Sequence, residues 1–402
     1  MNVCFETFGC RLNKAEALQM EAEYAARGWT RTEKHSDADL FVVRGCSVTR
    51  RAQRDCERLI AHLKRHYPLV PLRICGCIDT PKKPSHAEAN NPVLDMPTDS
   101  RQSGDAPPIP TRTARAYLKV QDGCSGKCTF CIVPKFRGAS VSTPFTEVMD
   151  RAKRFIDAGY HEIVVTGCNL VLYASEGRRL PDLVAELSGL TPAGSNSRTR
   201  IRIGSMEPGD CALECVHAMS ESANVCRFLH IPFQSGANRM LMSMKRPYFA
   251  RDIDALAHLA LKLMPGIRLG CDLMTGFPDE SELDFAATRT LLSRIPFSNV
   301  HVFPYSERPG TAAATYGGAI PSAIRSGRAR DLSEKGKTNR YAYAKQLYGK
   351  VVEIVVEGEG ECYGRTDEYL WCRAIGNAKR KSLAHVLVNK VHHDGLLEGT
   401  IR

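Results

Sequence analysis

The stretch Gln121-Asp-Gly-Cys-Ser-Gly-Lys-Cys-Thr-Phe-Cys131 carries three cysteines in the spacing C-x3-C-x2-C. Thiolates this close in sequence do not fit one rigid element. They fit a loop wrapped around a single metal centre, with Gly126 allowing the tight backbone path. A four-thiolate zinc or iron–sulfur site needs a fourth ligand, and the next cysteine along the chain is Cys168. Three ligands on a four-iron cluster leave one iron open, and an open metal position is what chemistry uses. Zinc, or buried free thiols, are the plainer alternatives.

The loop resembles the cluster-binding loop of the radical S-adenosylmethionine enzymes. That resemblance implies a [4Fe–4S] cluster on Cys124, Cys128 and Cys131, with S-adenosylmethionine chelated by the open iron and cleaved reductively to a 5′-deoxyadenosyl radical.

Working outward, residues 113–340 contain six strand-like runs: Ala116–Val120, Glu162–Thr166, Arg200–Ser205, Arg227–Ile231, Arg268–Leu273 and Asn299–Phe303. Helix-like stretches such as Thr146–Ala158 and Ala250–Leu263 lie between them. Such βα units suit a partial (β/α)6 barrel, and the cysteine loop follows the first strand, at the face where these barrels place their chemistry. Polar residues at the other strand ends would line the cavity. Ile203-Gly-Ser-Met-Glu-Pro208, His230-Ile-Pro-Phe-Gln-Ser-Gly236, Met244-Lys-Arg-Pro-Tyr248, Asp272 through Gly276-Phe-Pro278 and Val302-Phe-Pro-Tyr-Ser-Glu-Arg-Pro-Gly-Thr311 resemble family motifs, as does Arg137-Gly138. The resemblance places Thr166, Gly167, Ser205, Glu207, His230, Gln234 and Asp272 around S-adenosylmethionine. Glycine at 167 would allow close approach of the backbone. Cys168 and Asp279 depart from the glutamine and glycine of many relatives.

Residues 1–80 alternate strands and helices, the pattern of a parallel, Rossmann-like sheet. Asn13 is a candidate cap for the first helix. Cysteines follow three strand ends, at Cys10, Cys46 and Cys77, and ligands bind along that edge of a parallel sheet. Each alone reads as a small buried residue; three at equivalent places favour a second cluster. Thr7-Phe-Gly-Cys-Arg-Leu-Asn13, Cys46-Ser-Val-Thr49 and Gly76-Cys77 resemble the N-terminal domain of the methylthiotransferases, which implies an auxiliary [4Fe–4S] cluster on Cys10, Cys46 and Cys77. Arg44-Gly45 replaces the family's Asn-Thr before the second cysteine. Residues 81–112, rich in Pro, Ser, Asn and Asp, read as a linker.

The tail, residues 341–402, has short β runs divided by Gly- and Asp-bearing turns. It suits a small antiparallel β-barrel and resembles the TRAM domain, the RNA-binding barrel appended to methylthiotransferases; Lys379-Arg380-Lys381 is its candidate RNA contact. Arg325 to Lys350 is a basic helical connector, either a solvated face or a phosphate-contacting surface.

The 402 residues carry a formal net charge of +11, which favours a polyanionic partner. Sixteen cysteines in a reducing compartment argue for metal ligands and buried thiols over disulfides. No apolar run approaches the ~20 residues needed to span a bilayer, and the N-terminus reads as a strand, not a signal peptide. A cytoplasmic, monomeric α/β protein without a membrane partner is expected.

Together these resemblances imply a radical S-adenosylmethionine methylthiotransferase. A radical is needed because an adenine C2–H offers neither an acidic proton nor a leaving group; a cofactor must do that chemistry. Gly9-Cys-Arg-Leu-Asn13 and His301-Val-Phe-Pro-Tyr-Ser306 look most like the branch modifying threonylcarbamoyladenosine in the tRNA anticodon stem-loop. The isopentenyladenosine branch, the branch acting on an aspartate of a ribosomal protein, and an RNA-binding protein with structural clusters are the alternatives. An electron donor and a sulfur source, both of unidentified nature, complete the expected partners.

Overall fold

The computed structural model describes residues 1–78, 108–190, 198–358 and 361–402; residues 81–107 of the expected linker lie outside them. Two compact units emerge. One comprises Met1–Arg112 with Ile132–Ala139, the other Thr113–Cys131 with Ser140–Arg402.

The first unit runs β1 (Asn2–Thr7), α1 (Arg11–Ala26), β2 (Thr30–Arg31), β3 (Leu40–Cys46), α2 (Arg50–His66), β4 (Leu72–Cys77) and, after the gap, α3 (Val133–Arg137). The strands form a parallel sheet in the order β2-β1-β3-β4. Alternation along the strands fills both faces, as a sheet covered by helices on each side requires. Val3, Phe5, Leu40 and Val42 pack with Met20 and Tyr24 of α1. Cys4, Phe41 and Val43 pack with Cys56 and Leu63 of α2. Thr49 caps α2 by accepting from the Ala52 amide. Asn13 does not cap α1: Cys10 holds that position. The buried Asn13 amide instead donates to the carbonyls of Phe8 and Gly45, each at 2.8 Å.

The second unit opens with β5 (Ala116–Lys119) and a short ribbon of β6 (Gln121–Asp122) with β7 (Val141–Ser142). It continues through α4 (Phe145–Asp157), β8 (Glu162–Thr166), a two-residue hairpin of β9 (Ala174–Ser175) and β10 (Arg178–Arg179), α5 (Leu180–Ser188), β11 (Arg200–Ile203), α6 (Asp210–Ser220), β12 (Phe228–Gln234), α7 (Asn238–Ser243), α8 (Ala250–Leu263), β13 (Arg268–Thr275), α9 (Glu282–Arg294), β14 (Phe297–Pro304) and α10 (Ser322–Lys345). The long strands are parallel, as β5-β8-β11 and β12-β13-β14. Parallel bridges Ile201↔Val225 and Ser205↔His230 join the two sets into an open half-barrel.

Five further strands, β15 (Val351–Val356), β16 (Cys362–Thr366), β17 (Trp371–Ile375), β18 (Leu383–Val391) and β19 (Leu397–Ile401), close a barrel in the order β15-β16-β17-β19-β18. All pairings are antiparallel except β17 with β19. The composition change at 341 falls inside α10. Strand β16 escapes a pattern reading because Gly364 interrupts it.

Buried charge joins this barrel to the N-terminal ends of the half-barrel strands. Arg200, Arg202 and Glu162 are fully buried. Arg202 Nε and Arg200 Nε donate to the Glu162 carboxylate at 2.8 and 3.0 Å. Burial pushes that carboxyl's pKa up, but Arg202, Arg200 and Arg115 hold it well below the usual range. Backbone carbonyls of the barrel accept further guanidinium protons: Thr366 and Asp367 from Arg202, Glu353 and Arg365 from Arg200, and Glu368 and Tyr369 from Arg268, whose Nε and Nη2 go to Ser298 of β14. Removing one partner of such a set leaves a buried charge, at a cost of ~3–5 kcal/mol. No helix among the described residues is long and apolar enough to cross a membrane.

Candidate active site

The cysteine loop follows β5 and β6 at the C-terminal ends of the half-barrel strands, opposite the buried arginines. Cys124, Cys128 and Cys131 are all half-exposed. The Gly126 amide donates to Cys124 Sγ at 3.3 Å. A Cβ on Gly126 would lie 3.2 Å from Cys124 Sγ and 3.9 Å from Cys128 Sγ, so the missing side chain leaves the space the sulfurs enclose. Thr129 ties the loop to the turn after α7, through its amide to Met244 O (3.1 Å) and its hydroxyl to Ser243 O (3.0 Å). Phe130 packs among Met240, Met244, Phe277 and Tyr305.

That turn also supplies Arg246. Its Nη1 lies 3.1 Å from Cys128 Sγ and 2.9 Å from Glu207, its Nη2 donates to Pro232 O, and its Nε to the Tyr248 hydroxyl. Burial pushes the Cys128 thiol up, and the Arg246 charge and hydrogen bond pull it back. Across β12, β13 and β14, Asp272 Oδ1 meets His230 Nε2 at 3.0 Å and His301 Nδ1 at 3.2 Å. Burial raises the Asp272 carboxyl, yet the two imidazoles more than offset it and hold it below the usual range. Among the described residues, buried His230 Nδ1 has no hydrogen-bond partner.

In the first unit the parallel register sets Cys46 directly beside Cys77 and Gly45 beside Gly76. Cys10 begins α1 at the same edge. Gly9 and Gly76 have φ of +95° and +93°, a region side chains rarely tolerate. Neither has room for one: a Cβ on Gly9 would sit 2.7 Å from Cys46 Sγ, and one on Gly76 2.7 Å from Gly45 O. Burial pushes the Cys46 and Cys77 thiols up, and Arg137 of α3 pulls Cys77 down.

The model of the Radical SAM superfamily matches residues 118–292, and that described as "Uncharacterized protein family UPF0004" matches residues 2–97. Threonylcarbamoyladenosine tRNA methylthiotransferase MtaB of Bacillus subtilis is 29% identical, the alignment covering 92% of this chain and 89% of that protein. tRNA-2-methylthio-N(6)-dimethylallyladenosine synthase of Aquifex aeolicus is 27% identical, covering 92% of each. These matches support an enzyme of the radical S-adenosylmethionine methylthiotransferase kind. Among solved structures, the radical S-adenosylmethionine methyltransferase TsrM of Kitasatospora setae, with cobalamin and a [4Fe-4S] cluster bound, shares the fold at a TM-score of 0.56 and 13% identity, covering 90% of this chain and 80% of that one.

A methylthiotransferase of this kind uses two [4Fe–4S] clusters and S-adenosylmethionine, and both triads offer three sulfurs suited to that demand. Their protons must leave when metal binds. The other expected residues divide. Glu207, Gln234, His230 and Asp272 gather near the loop or on the half-barrel strands, and Ser205 bridges to His230. On its Cβ side Gly167 packs against Gln121 Oε1 and Leu170, at 2.9 and 3.0 Å from where a Cβ would sit. Lys381 Nζ lies over the Tyr160 ring at 4.2 Å, and Arg380 Nε donates to Glu357 O, leaving Lys379 as the exposed member of that cluster.

Three residues of this methylthiotransferase escape sequence reasoning. Buried Gln121 holds the loop from below, donating to Gly123 O and Ser140 Oγ and accepting from the Asn169 amide. Arg246 sits in the Met244–Tyr248 motif, whose match gave it no role. Arg137 lies in the Arg137-Gly138 motif just past the loop, whose match likewise gave it no role.

Proposed function

We propose that this methylthiotransferase inserts sulfur at C2 of N6-threonylcarbamoyladenosine at position 37 of tRNA, next to the anticodon, and methylates it, in the cytoplasm. In this reading Cys124, Cys128 and Cys131 hold the radical-generating cluster, and Cys10, Cys46 and Cys77 the auxiliary one. The observation that carries it is the pair of triads, one carried by a single loop after β6 and one set along the C-terminal edge of the N-terminal sheet. The bound clusters and S-adenosylmethionine supply the radical and the sulfur chemistry. The chain's own groups orient: Arg246 secures Cys128, while Glu207, Ser205, Gln234, Thr166 and the Gly167 backbone border S-adenosylmethionine.

The His230–Asp272–His301 cluster favours threonylcarbamoyladenosine over dimethylallyladenosine. A threonylcarbamoyl group carries a carboxylate, a hydroxyl and amide N–H groups, which imidazole and carboxylate can pair; an apolar dimethylallyl group offers such a cluster no polar partner. His230 and Asp272 thus serve either the cofactor or the base beside it. The C-terminal barrel is read as the TRAM-like RNA-binding module. Its outer face favours single-stranded RNA: Tyr363 and Trp371 are 39% and 37% exposed, Arg365 lies 3.8 Å over Trp371, and exposed Arg373 is opposite Tyr363. Aromatic and arginine side chains in this arrangement stack bases.

Nucleoside mass analysis of tRNA from cells with and without the protein is the test. Loss of 2-methylthio-N6-threonylcarbamoyladenosine, with the unthiolated nucleoside accumulating, is expected. Loss of the dimethylallyl product, or of a methylthio mark on a ribosomal protein, would overturn the substrate.

A further inference from the structure

Arg137 reaches the sheet-edge triad from a segment far along the chain. Its Nε donates to Cys77 Sγ at 2.8 Å, its Nη1 and Nη2 to the Glu16 carboxylate at 3.0 Å, and its Nη2 to Asn13 Oδ1 at 2.6 Å. The side chain is 8% exposed. Glu16 accepts from a second buried guanidinium, Arg44, which also approaches Cys75 Sγ at 3.7 Å. Two guanidinium charges thus stand against one carboxylate beside Cys10, Cys46 and Cys77.

An N–H donated to a ligand sulfur, and a positive charge near it, stabilise the more negative, reduced state of a cluster and raise its potential. Burial strengthens both effects. We propose that Arg137, oriented by Glu16 and Asn13, is a positioning residue that makes the auxiliary cluster easier to reduce. This rests on Cys10, Cys46 and Cys77 being that cluster's ligands. Arg137 lies six residues beyond Cys131, so the stretch of chain that ends the radical loop also carries the group that tunes the other cluster.

The test uses the full-length protein with Cys124, Cys128 and Cys131 all changed to Ala, reconstituted with iron and sulfide, so that bound iron reports the auxiliary site. Potentiometric titration followed by electron paramagnetic resonance reads its one-electron couple. Arg137→Gln shifts the reduction equilibrium at least tenfold toward the oxidised form, ~59 mV. Arg137→Lys shifts it less, and Glu16→Gln shifts it the opposite way, which loss of packing alone would not do. The proposal is overturned if Arg137→Gln keeps its iron with an equilibrium within threefold of the parent, or if Glu16→Gln moves in the same direction as Arg137→Gln. Should Arg137→Gln shed its iron, the Lys and Glu16→Gln variants decide by the same two criteria. A parent that binds no iron sinks the auxiliary-cluster reading itself.

Discussion

In the N-terminal unit the backbone places the cysteines: parallel register sets Cys46 beside Cys77, and glycines at +95° and +93° crowd Cys10 onto the same edge. In the second unit side chains do the placing. Thr129, Phe130 and Arg246 seat a loop that has little regular structure of its own. Each triad nevertheless ends in one arrangement, a buried arginine paired with a glutamate and donating to one sulfur: Arg137 with Glu16 at Cys77, Arg246 with Glu207 at Cys128. Three cysteines can therefore be placed by register or by seating, and the difference decides which substitutions disturb them.

The sharpest way to break this comparison is to remove one sulfur from each side. Cys124→Ala should abolish reductive cleavage of S-adenosylmethionine, read as 5′-deoxyadenosine. Cys10→Ala should preserve cleavage while stopping sulfur insertion. Thiolated product from Cys10→Ala would show that the two triads do not divide the labour.

Backbone against seating comes next. Gly9→Val adds strain of roughly 1–3 kcal/mol and a collision with Cys46 Sγ. It should lose about half of the ~eight irons expected for two four-iron clusters. Gly126→Ala meets Cys124 Sγ at a gentler 3.2 Å and should retain both clusters. Iron and sulfide analysis distinguishes them, and equal losses would erase the distinction between register and seating.

The smallest effects concern the supports. Asn13→Ala leaves the Phe8 and Gly45 carbonyls without that partner and should cost about 1–3 kcal/mol. Thr129→Val removes one hydroxyl hydrogen bond from the loop and should cost about 0.5–1.5 kcal/mol. Denaturant unfolding of the iron-free protein measures both. A larger loss from Thr129→Val would mean that the loop, not the sheet edge, is the more tightly built.

The six long half-barrel strands and the Gly-Cys pairs were legible because apolar alternation and glycine placement are local signals. What remained hidden depends on partners distant in sequence. Arg200, Arg202 and Arg268 look like ordinary surface charges until Glu162 and the barrel carbonyls stand beside them. Asn13 looks like a cap because one of its two acceptors, Gly45, is 32 residues away. That Lys381 lies over the Tyr160 ring is likewise set by a partner far along the chain.

The arginines at the foot of the half-barrel bear on how such an enzyme can be assembled from parts. Several of their donors are satisfied by main-chain oxygens of β16 and of the turn after it, while the Tyr369 ring of that turn stacks on Phe228 and lies under Arg202, and Asp367 Oδ2 accepts from the Arg227 amide. A different small barrel could replace this one during descent if its turn offered the same carbonyls and an aromatic ring and a carboxylate at the places of Tyr369 and Asp367. Outright deletion would strand guanidinium donors in an apolar setting. The tail is exchangeable in sequence and indispensable in outline.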